Sequence, residues 1–277
     1  MDSNTINTLH FGVLGEKLGH SLSPEIQDDL FKQQHISATY KKYELTHEEL
    51  PHVFELMKSE QLTGMNVTIP YKENIYQMVD VLDEHAKEIG AVNTIYLKDG
   101  VTYGYNTDYI GVTSMLNKAG FDLKGKDVVI LGSGGASRAL IYGFHLHGAA
   151  SITIAARNQA AEEILTEQFP YLKTCSFDEI SGGDLIINTT PVGMYPNVGK
   201  SPVGADIIRK FKVASDIVYN PLITEFLHIA QQEGLQIVTG LMMLVDQAIG
   251  SQEIWLNKKL DYNMGNRIHD ELAKQFL

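Results

Sequence analysis

The chain has 277 residues, of which 44% are apolar and 20% are charged, a composition typical of a globular protein with about two domains. Acidic residues outnumber basic ones by 34 to 22. The resulting formal net charge of −12 argues against a nucleic-acid partner, because phosphate backbones are bound by basic surfaces.

Three absences in the sequence narrow the class of protein further. The single cysteine, Cys175, excludes an intrachain disulfide and fits a reducing cytoplasm. The N-terminal segment lacks the basic and apolar regions of a signal peptide, and no segment approaches the ~20 apolar residues that cross a bilayer. The histidines are scattered without a zinc-binding spacing. We therefore expect a cytoplasmic protein with no metal and no membrane partner.

The first candidate ligand-binding residues follow a strand predicted at residues 10–15. Ser21 and Ser23 stand beside a helix that starts near Pro24, a residue suited to the first helical turn. Free backbone amides at a helix start favour an anion, so the two hydroxyls form a plausible clamp for a carboxylate. Ser23 alternatively serves only as the N-cap of this helix.

A candidate functional lysine follows the next predicted elements. Residues 38–45 alternate like a strand, and residues 48–60 have helical spacing. The short strand that begins at Gly64 is stopped by Pro70, and Lys72 falls in the first turn of a new helix. A cation is disfavoured there by the helix dipole, which suggests a role, although most lysines are simply solvated.

A β-hairpin precedes a candidate functional carboxylate. Asp99-Gly100 is a strong turn signal that leads into a strand at residues 101–105. Asp108 then stands where a helix begins that runs to about Ala119, with Gly120 as its stop. Asp108 is a candidate N-cap as well as a candidate catalytic carboxylate, and the two roles are compatible.

The strongest motif is a glycine turn between a strand and a helix. The apolar run 128–131 enters Gly132-Ser133-Gly134-Gly135, and a helix opens at Ala136. Glycines let backbone amides approach an anion, and the helix dipole favours negative charge at this end. In this setting the expected ligand is the pyrophosphate of a dinucleotide, although an ordinary strand–helix turn has the same pattern.

From residue 117 onward, strands and helices alternate, which predicts a doubly wound parallel sheet. Strands are predicted at residues 127–132, 151–156, 184–188, 213–218 and 235–239. Residues 189–211, with three prolines, are predicted to form a loop at a strand end, and such loops often close over ligands. Residues 241–255 and 264–276 read as helices outside the alternating unit.

The end of the second strand of this sheet bears on the choice of cofactor. NAD-binding sites usually carry Asp or Glu there, whereas an arginine accommodates the 2′-phosphate of NADP. The strand ends at Arg157 without a carboxylate, which favours NADP over NAD, unless Arg157 is only a solvated charge.

Seven motifs in a fixed order resemble those of the shikimate dehydrogenase family, from about residue 9 to 275. They are SLSP (21–24), NVTIPYKE (66–73), GAVNT (90–94), NTD (106–108), GSGGASR (132–138), NTTPVGM (188–194) and GLMMLVDQA (240–248). The resemblance implies an NADP-dependent oxidoreductase that reversibly reduces 3-dehydroshikimate to shikimate in aromatic amino-acid biosynthesis.

The resemblance also implies a role for individual residues. It assigns the substrate carboxylate to Ser21, Ser23 and Tyr219, the ring hydroxyls to Thr68, Asn93 and Gln247, and catalysis to Lys72 and Asp108. It assigns the cofactor to Gly132, Ser133, Gly134, Gly135, Ala136, Arg157, Thr190, Met194, Gly240 and Met243. Reduction of a carbonyl by hydride leaves an alkoxide that needs a proton, so we expect Lys72 to be the general acid/base and Asp108 to orient it.

The sequence departs from the family where the adenosine phosphate would bind. The family usually has Asn-Arg-Thr followed by a second basic residue, whereas this chain has Ala156-Arg157-Asn158 and then no second cation. Use of NAD therefore stays open beside NADP.

The implied architecture is an α/β chain with two domains and an active site in the cleft between them. A substrate-binding domain comprises residues 1–107 and 241–277, with the C-terminal helices returning to it, and a Rossmann-type dinucleotide-binding domain comprises residues 108–240. Two alternatives remain open, namely a quinate/shikimate dehydrogenase with broader substrate and NAD use, and a non-catalytic nucleotide sensor. A monomer and a homodimer are equally compatible with the sequence.

Overall fold

The computed structural model describes residues 8–276, which form two compact units. The first unit runs from the beginning of the described residues to Thr107 and includes Gln247–Ile268, and the second comprises Asp108–Asp246 and the residues from His269 on. The predicted domains placed all of 241–277 with the first unit, so the two divisions differ near the C-terminus. The predicted bounds at residues 1 and 277, and the first part of the N-terminal segment, lie outside the described residues.

The first unit is built on a six-stranded mixed sheet with the strand order β2-β1-β3-β5-β6-β4. Its elements are β1 (Leu9–Gly15), α1 (Ser23–Gln33), β2 (Ala38–Glu44), α2 (Val53–Ser59), β3 (Gly64–Val67), α3 (Lys72–Met78), β4 (Val81–Leu82), α4 (Glu84–Ile89), β5 (Thr94–Lys98) and β6 (Val101–Tyr105). β1 pairs in parallel with β2 and β3, while β5 is antiparallel to both β3 and β6.

Two local features explain why the first unit folds in this way. Asp99 and Gly100 connect β5 to β6 with φ angles of +52° and +80°, the left-handed pair that a two-residue hairpin turn requires. The ring of Trp255 stacks on Phe11 at 4.7 Å, and its indole N–H donates to the carbonyl of Ile95. Gly64 is needed beside it, because any Cβ there would collide with the indole.

The second unit is a doubly wound sheet of six parallel strands with the order β12-β11-β10-β7-β8-β9. Its elements are α5 (Asp108–Lys118), β7 (Asp127–Leu131), α6 (Gly135–Leu146), β8 (Ser151–Ala155), α7 (Gln159–Gln168), β9 (Leu172–Cys175), β10 (Leu185–Asn188), α8 (Ala205–Ile208), β11 (Val213–Asp216), α9 (Glu225–Gln232) and β12 (Gln236–Val238). Counted from β7, this is the order 3-2-1-4-5-6 of dinucleotide-binding domains, and its direction reverses between β7 and β10. The last helices of the chain are α10 (Leu241–Leu256) and α11 (Met264–Ala273).

The predicted fold class, α/β with a doubly wound second unit, is confirmed, with differences of detail. The strand β9 and the short helix α8 inside the predicted loop 189–211 were not expected from the sequence. The helix after the glycine turn begins at Gly135, one residue earlier than predicted. Among the described residues, no helix is long and apolar enough to span a lipid bilayer.

Candidate active site

Ser21 and Ser23 lie half-buried at the start of α1. The helix begins at Ser23 itself, its N-cap is Leu22, and no side chain caps it, so the expectation of Ser23 as the N-cap is wrong. Pro24 fixes the first turn, as its lack of an N–H allows. The Ser21 hydroxyl accepts a long hydrogen bond of 3.4 Å from the Ser23 amide, which holds the Ser21 side chain against the N-terminal end of α1.

Thr68 and Lys72 follow β3 directly, in the turn that leads to α3. The Thr68 amide donates to the Leu14 carbonyl at 2.9 Å, which extends the pairing of β3 with β1 by one residue. Lys72 is the first residue of α3, and its carbonyl accepts from the Val92 amide at 2.9 Å. The backbone of Lys72 is thereby fixed against the segment that carries Asn93, while its side chain is only half-buried.

Asn93 is the centre of a buried hydrogen-bond cluster, with 1% of its surface exposed. Its side-chain oxygen accepts from the Thr107 amide at 2.8 Å and from the Thr94 hydroxyl at 2.9 Å. Its side-chain nitrogen donates to the Thr107 hydroxyl at 3.0 Å and to Gln247 Oε1 at 3.1 Å. These bonds fix the orientation of both amide side chains, because each polar atom of Asn93 has a defined partner.

A second set of buried polar residues, not predicted from the sequence, supports this cluster. Asn66 accepts from Tyr40 at 2.7 Å and from Gln27 at 3.2 Å, and it donates to Ser251 at 2.8 Å. Gln27 lies one helical turn after Ser23, and Ser251 lies one turn after Gln247. Polar residues four positions from predicted site residues on a helix were therefore the signal that could have found them.

Asp108 is the first residue of α5 and belongs to the second unit. It is 5% exposed. It stands inside the helix rather than before it, next to Thr107, whose backbone is held by Asn93. Further along α5, Ser114 and Lys118 both bind the buried carboxylate of Asp246 on α10, at 2.6 and 2.7 Å. Burial raises the pKa of Asp246, and these two hydrogen bonds oppose that shift.

The glycine turn lies at the switch point of the second sheet, where β7 ends. Gly132 has φ of +106°, and a Cβ there would meet Thr190 Cγ2 at 2.7 Å, so both backbone and space require glycine. Gly134 is the N-cap of α6 without a side-chain cap, and a Cβ on it would meet nothing within 4 Å. Ser133, Gly135 and Ala136 complete the turn and the first turn of the helix.

This geometry fits the pyrophosphate of a dinucleotide. The amides of the first turn of α6 are left without a capping side chain, and a Cβ on Gly134 would have 4 Å of open space around it. The turn is itself braced, because the Ser137 hydroxyl donates to the Gly132 carbonyl at 2.8 Å. The Arg138 guanidinium donates to the Gln168 side chain at the end of α7.

The neighbouring cofactor candidates lie on the loops after β10 and β12. The Thr190 hydroxyl donates to Asn188 Oδ1 at 2.7 Å, whereas Met194 is 45% exposed on the same loop. Gly240 packs so closely on the backbone of Ile217 that a Cβ would collide with its carbonyl oxygen. Met243 is buried in the core one turn further along.

The end of β8 carries the arginine singled out from the sequence. Arg157 is exposed, and its guanidinium carbon lies 6.0 Å from the centre of the Phe177 ring, within the range of a cation–π contact. Asn158 caps α7 by accepting from the Ala161 amide at 3.2 Å. Glu162 reaches back from this helix and accepts from the Ala156 amide at 3.0 Å, a contact not predicted from the sequence.

Tyr219 lies on the loop after β11, with its ring 6.2 Å from that of Phe276 in an edge-on arrangement. Burial raises the pKa of its phenol, so the hydroxyl stays protonated and can donate to an anion. Within the described residues, no group of three or more His, Cys, Asp or Glu side chains could hold a metal ion.

The sheet order and the open glycine turn at its switch point define a two-unit α/β protein of the dinucleotide-binding class. Comparison with known proteins specifies this class further. The sequence model of the shikimate dehydrogenase substrate binding domain matches residues 13–95. Over 268 residues the chain is 42% identical to the shikimate dehydrogenase (NADP(+)) of Clostridium perfringens, a match that covers 96% of this chain and 99% of that protein.

Solved structures give the same result. Shikimate dehydrogenase 1 of Peptoclostridium difficile superimposes with a TM-score of 0.86 at 42% identity, covering 97% of this chain and 99% of the other. Shikimate 5-dehydrogenase of Thermus thermophilus, crystallised with NADP(H) and shikimate, gives 0.88 at 30% identity, covering 97% and 100%. The chain belongs to the shikimate dehydrogenase family, as its motifs predicted.

Proposed function

We propose that this chain catalyses the NADP-dependent, reversible reduction of 3-dehydroshikimate to shikimate. The observation that carries the proposal is the similarity, over nearly the full length of both chains, to an NADP(+)-dependent shikimate dehydrogenase. The open phosphate cradle at Gly134 and the buried amide cluster around Asn93 support it from the geometry.

The substrate carboxylate is proposed to bind the hydroxyls of Ser21, Ser23 and Tyr219. The Ser23 hydroxyl is not used as a helix cap, and the first turn of α1 adds the positive end of the helix dipole. The Tyr219 phenol is kept protonated by burial, so it can donate to the same carboxylate.

The ring hydroxyls of the substrate are proposed to bind Thr68, Asn93 and Gln247. The hydrogen bond between the Asn93 and Gln247 side chains fixes which way each amide points before a ligand arrives. Such preorganisation favours hydroxyl recognition, because a ligand without the hydroxyl leaves buried polar groups unpaired.

The proposed chemistry assigns Lys72 and Asp108 to the transferred proton. NADPH, when bound, supplies the hydride for the carbonyl carbon. The Lys72 ammonium donates a proton to the carbonyl oxygen as the C=O bond becomes C–OH, and in the reverse direction the neutral amine takes that proton back. The Asp108 carboxylate is proposed to hold the amine in place and to accept from a substrate hydroxyl.

The cofactor would be held by the turn from Gly132 to Ala136 through its pyrophosphate, and by Arg157 through its 2′-phosphate. A guanidinium can bind a phosphate with two parallel hydrogen bonds, and the Phe177 ring supports its position. Thr190, Met194, Gly240 and Met243 are proposed to line the nicotinamide end. We propose in addition that the enzyme works in the cytoplasm, which its single cysteine favours, as a monomer or a homodimer.

The proposal is tested by measuring kcat/KM for shikimate and for quinate, each with NADP and with NAD, from the absorbance of the reduced cofactor. We expect shikimate with NADP to give the highest value of the four. A higher value for quinate or for NAD would overturn the assigned specificity, and no turnover with any pair would overturn the assigned reaction.

A further inference from the structure

Asp216 is a buried carboxylate that the proposed reaction does not use. It is the last residue of β11 and is 0% exposed. Its hydrogen bonds are made to neutral donors. These are the Asn188 side-chain nitrogen, 3.1 Å from each carboxylate oxygen, the Val218 amide at 2.9 Å and the Thr224 hydroxyl at 2.7 Å. A carboxylate that only accepts is satisfied in its ionised form, so the arrangement suits a charged Asp216.

The partners of Asp216 belong to two different loops. Asn188 is the last residue of β10, and its side-chain oxygen accepts from the Thr190 amide at 3.0 Å while its nitrogen also donates to the Val192 carbonyl at 3.3 Å. Through Asn188, Asp216 therefore braces the segment that leads to Met194. This segment includes the proposed cofactor residue Thr190.

The other two partners brace the loop that carries Tyr219. Val218 is the residue directly before Tyr219, and Thr224 closes the same loop as the N-cap of α9, with 0% exposure. The two loops also touch each other, since the Tyr195 amide donates to the Asn220 carbonyl at 2.9 Å. One carboxylate thus ties together the loop proposed for the cofactor and the loop proposed for the substrate carboxylate.

We propose that Asp216 is a positioning residue that holds the Thr190–Met194 segment and the Tyr219 turn in one fixed arrangement. This inference rests on the proposed function for the roles of Thr190 and Tyr219, but its structural part does not depend on catalysis. A purely structural carboxylate would stabilise the unit without coupling the two loops.

The experiment uses Thr224→Val, which removes one donor to Asp216 at nearly constant volume, with Thr224→Ser as the rescue variant. The matched control is Ser215→Ala, because the Ser215 hydroxyl is buried on the same strand and has no hydrogen-bond partner within the described part of the chain. Amide hydrogen exchange is measured for segments 189–195 and 217–223, and for α6 as a reference, in all four proteins.

In Thr224→Val we expect exchange to rise about tenfold in both segments, with α6 unchanged, and to return towards the parent rate in Thr224→Ser. Faster exchange in segment 217–223 alone, or equal changes in Ser215→Ala, would overturn the coupling. Asp216→Asn places an amide donor against the Asn188 side-chain nitrogen in either orientation of the new side chain, and it is expected to show the same pattern more strongly.

Kinetics separate the inference from the proposed function. Where the parent enzyme turns over shikimate with NADP, Thr224→Val is expected to raise the KM of both ligands about threefold or more. In a Tyr219→Phe background it should add no further increase for shikimate. Additive effects of the two substitutions on the shikimate KM would contradict an action of Asp216 through Tyr219. If the parent enzyme does not turn over shikimate, the proposed function is wrong, but the hydrogen-exchange measurement still tests the coupling of the two loops.

Discussion

The side-chain nitrogen of Asn93 donates to Gln247 Oε1 at 3.1 Å, although the two residues are 154 positions apart in the sequence. Both are proposed to bind ring hydroxyls of the substrate. Their mutual bond, together with the three bonds between Asn93 and Thr107, makes the substrate side of the site a preformed set of donors and acceptors. The expected effects of substitution on binding and stability depend on this preformed geometry.

Substitution of Asn93 by Ala should reduce both stability and substrate affinity. The loss of its buried partners is expected to cost about 2 kcal/mol or more in unfolding free energy, because the Thr107 amide is left without an acceptor. The KM for shikimate should rise about tenfold with the NADP KM unchanged. The matched control is Thr102→Val. Thr102 is a buried polar residue on β6 whose hydroxyl donates to the Asp80 carboxylate. The control variant should lose stability while keeping the shikimate KM, and a shared KM defect would refute the binding role of Asn93.

Substitution of Gly134 by Ala should separate cofactor binding from folding. A Cβ at this position meets no protein atom within 4 Å, so the thermal midpoint should stay within about 2 °C of the parent. The same methyl group would stand where the phosphate is proposed to approach, so NADP affinity measured by calorimetry should fall about tenfold or more. Gly19→Ala, which is equally unobstructed and lies in the first unit, should keep that affinity. Normal NADP affinity in Gly134→Ala would argue against the cradle.

Substitution of Arg157 by Ala should act on NADP and spare NAD. Loss of a charge-assisted hydrogen bond to phosphate is expected to raise the NADP KM about tenfold to a hundredfold, because the chain has no second cation in the matching motif. The NAD KM should change less than about twofold, since NAD lacks the phosphate. The control is Arg209→Ala, because Arg209 is an exposed arginine that follows α8 in the same unit. Equal effects on both cofactors would show that Arg157 does not read the phosphate.

Asp216 should give the protein a specific dependence of stability on pH. Burial raises the pKa of this carboxyl from 3.8 to about 6, although hydrogen bonds from Thr224, Val218 and Asn188 lower it. Because the pKa in the folded state lies above that in the unfolded state, the contribution of Asp216 is fully present below about pH 4 and is lost as the pH rises to about 6. The stability of the parent relative to Asp216→Asn should therefore fall by about 3 kcal/mol over this interval and then stay level.

Urea unfolding of the two proteins from about pH 4 to pH 7 measures this difference, and the comparison cancels the titration of all other groups. A difference that stays constant, or that grows with pH, would contradict a raised pKa in the folded state.

The sequence predicted the elements that have a local cause. The apolar run of β7, the glycine turn and the Asp99-Gly100 hairpin all follow from residues that are adjacent in the chain. The strand β9 was not predicted, because it has only four residues and most of them lie outside the core. The boundary between the units at residues 246 and 247 has no local sequence signal, since it falls inside α10, a continuous helix with no glycine or proline at these two positions.

The hydrogen-bond partners of the site could not be read from the sequence either. The motifs named Asn93 and Gln247 through a family resemblance, but nothing local indicated that they would bond to each other. The pairing of Asn188 with Asp216 likewise depends on the order of β10 and β11 in the sheet. Such contacts are set by topology, which brings the ends of distant strands together.

Lys72 is the residue on which the proposed chemistry depends most. Substitution by Met keeps much of the side-chain volume and removes the proton donor, so kcat should fall about a hundredfold or more. The KM for shikimate should change less than about threefold, because the carboxylate and hydroxyl contacts are made by other residues. Lys87→Met is the matched control, as Lys87 is an exposed lysine of α4 in the same unit. It should keep the parent kinetics.

The most direct measurement is therefore the steady-state rate of Lys72→Met with saturating shikimate and NADP, followed by the absorbance of the reduced cofactor. We expect a kcat at least about a hundredfold below that of the parent enzyme, with nearly unchanged KM values. A kcat equal to that of the parent, accompanied by a raised shikimate KM, would contradict it and make Lys72 a binding residue.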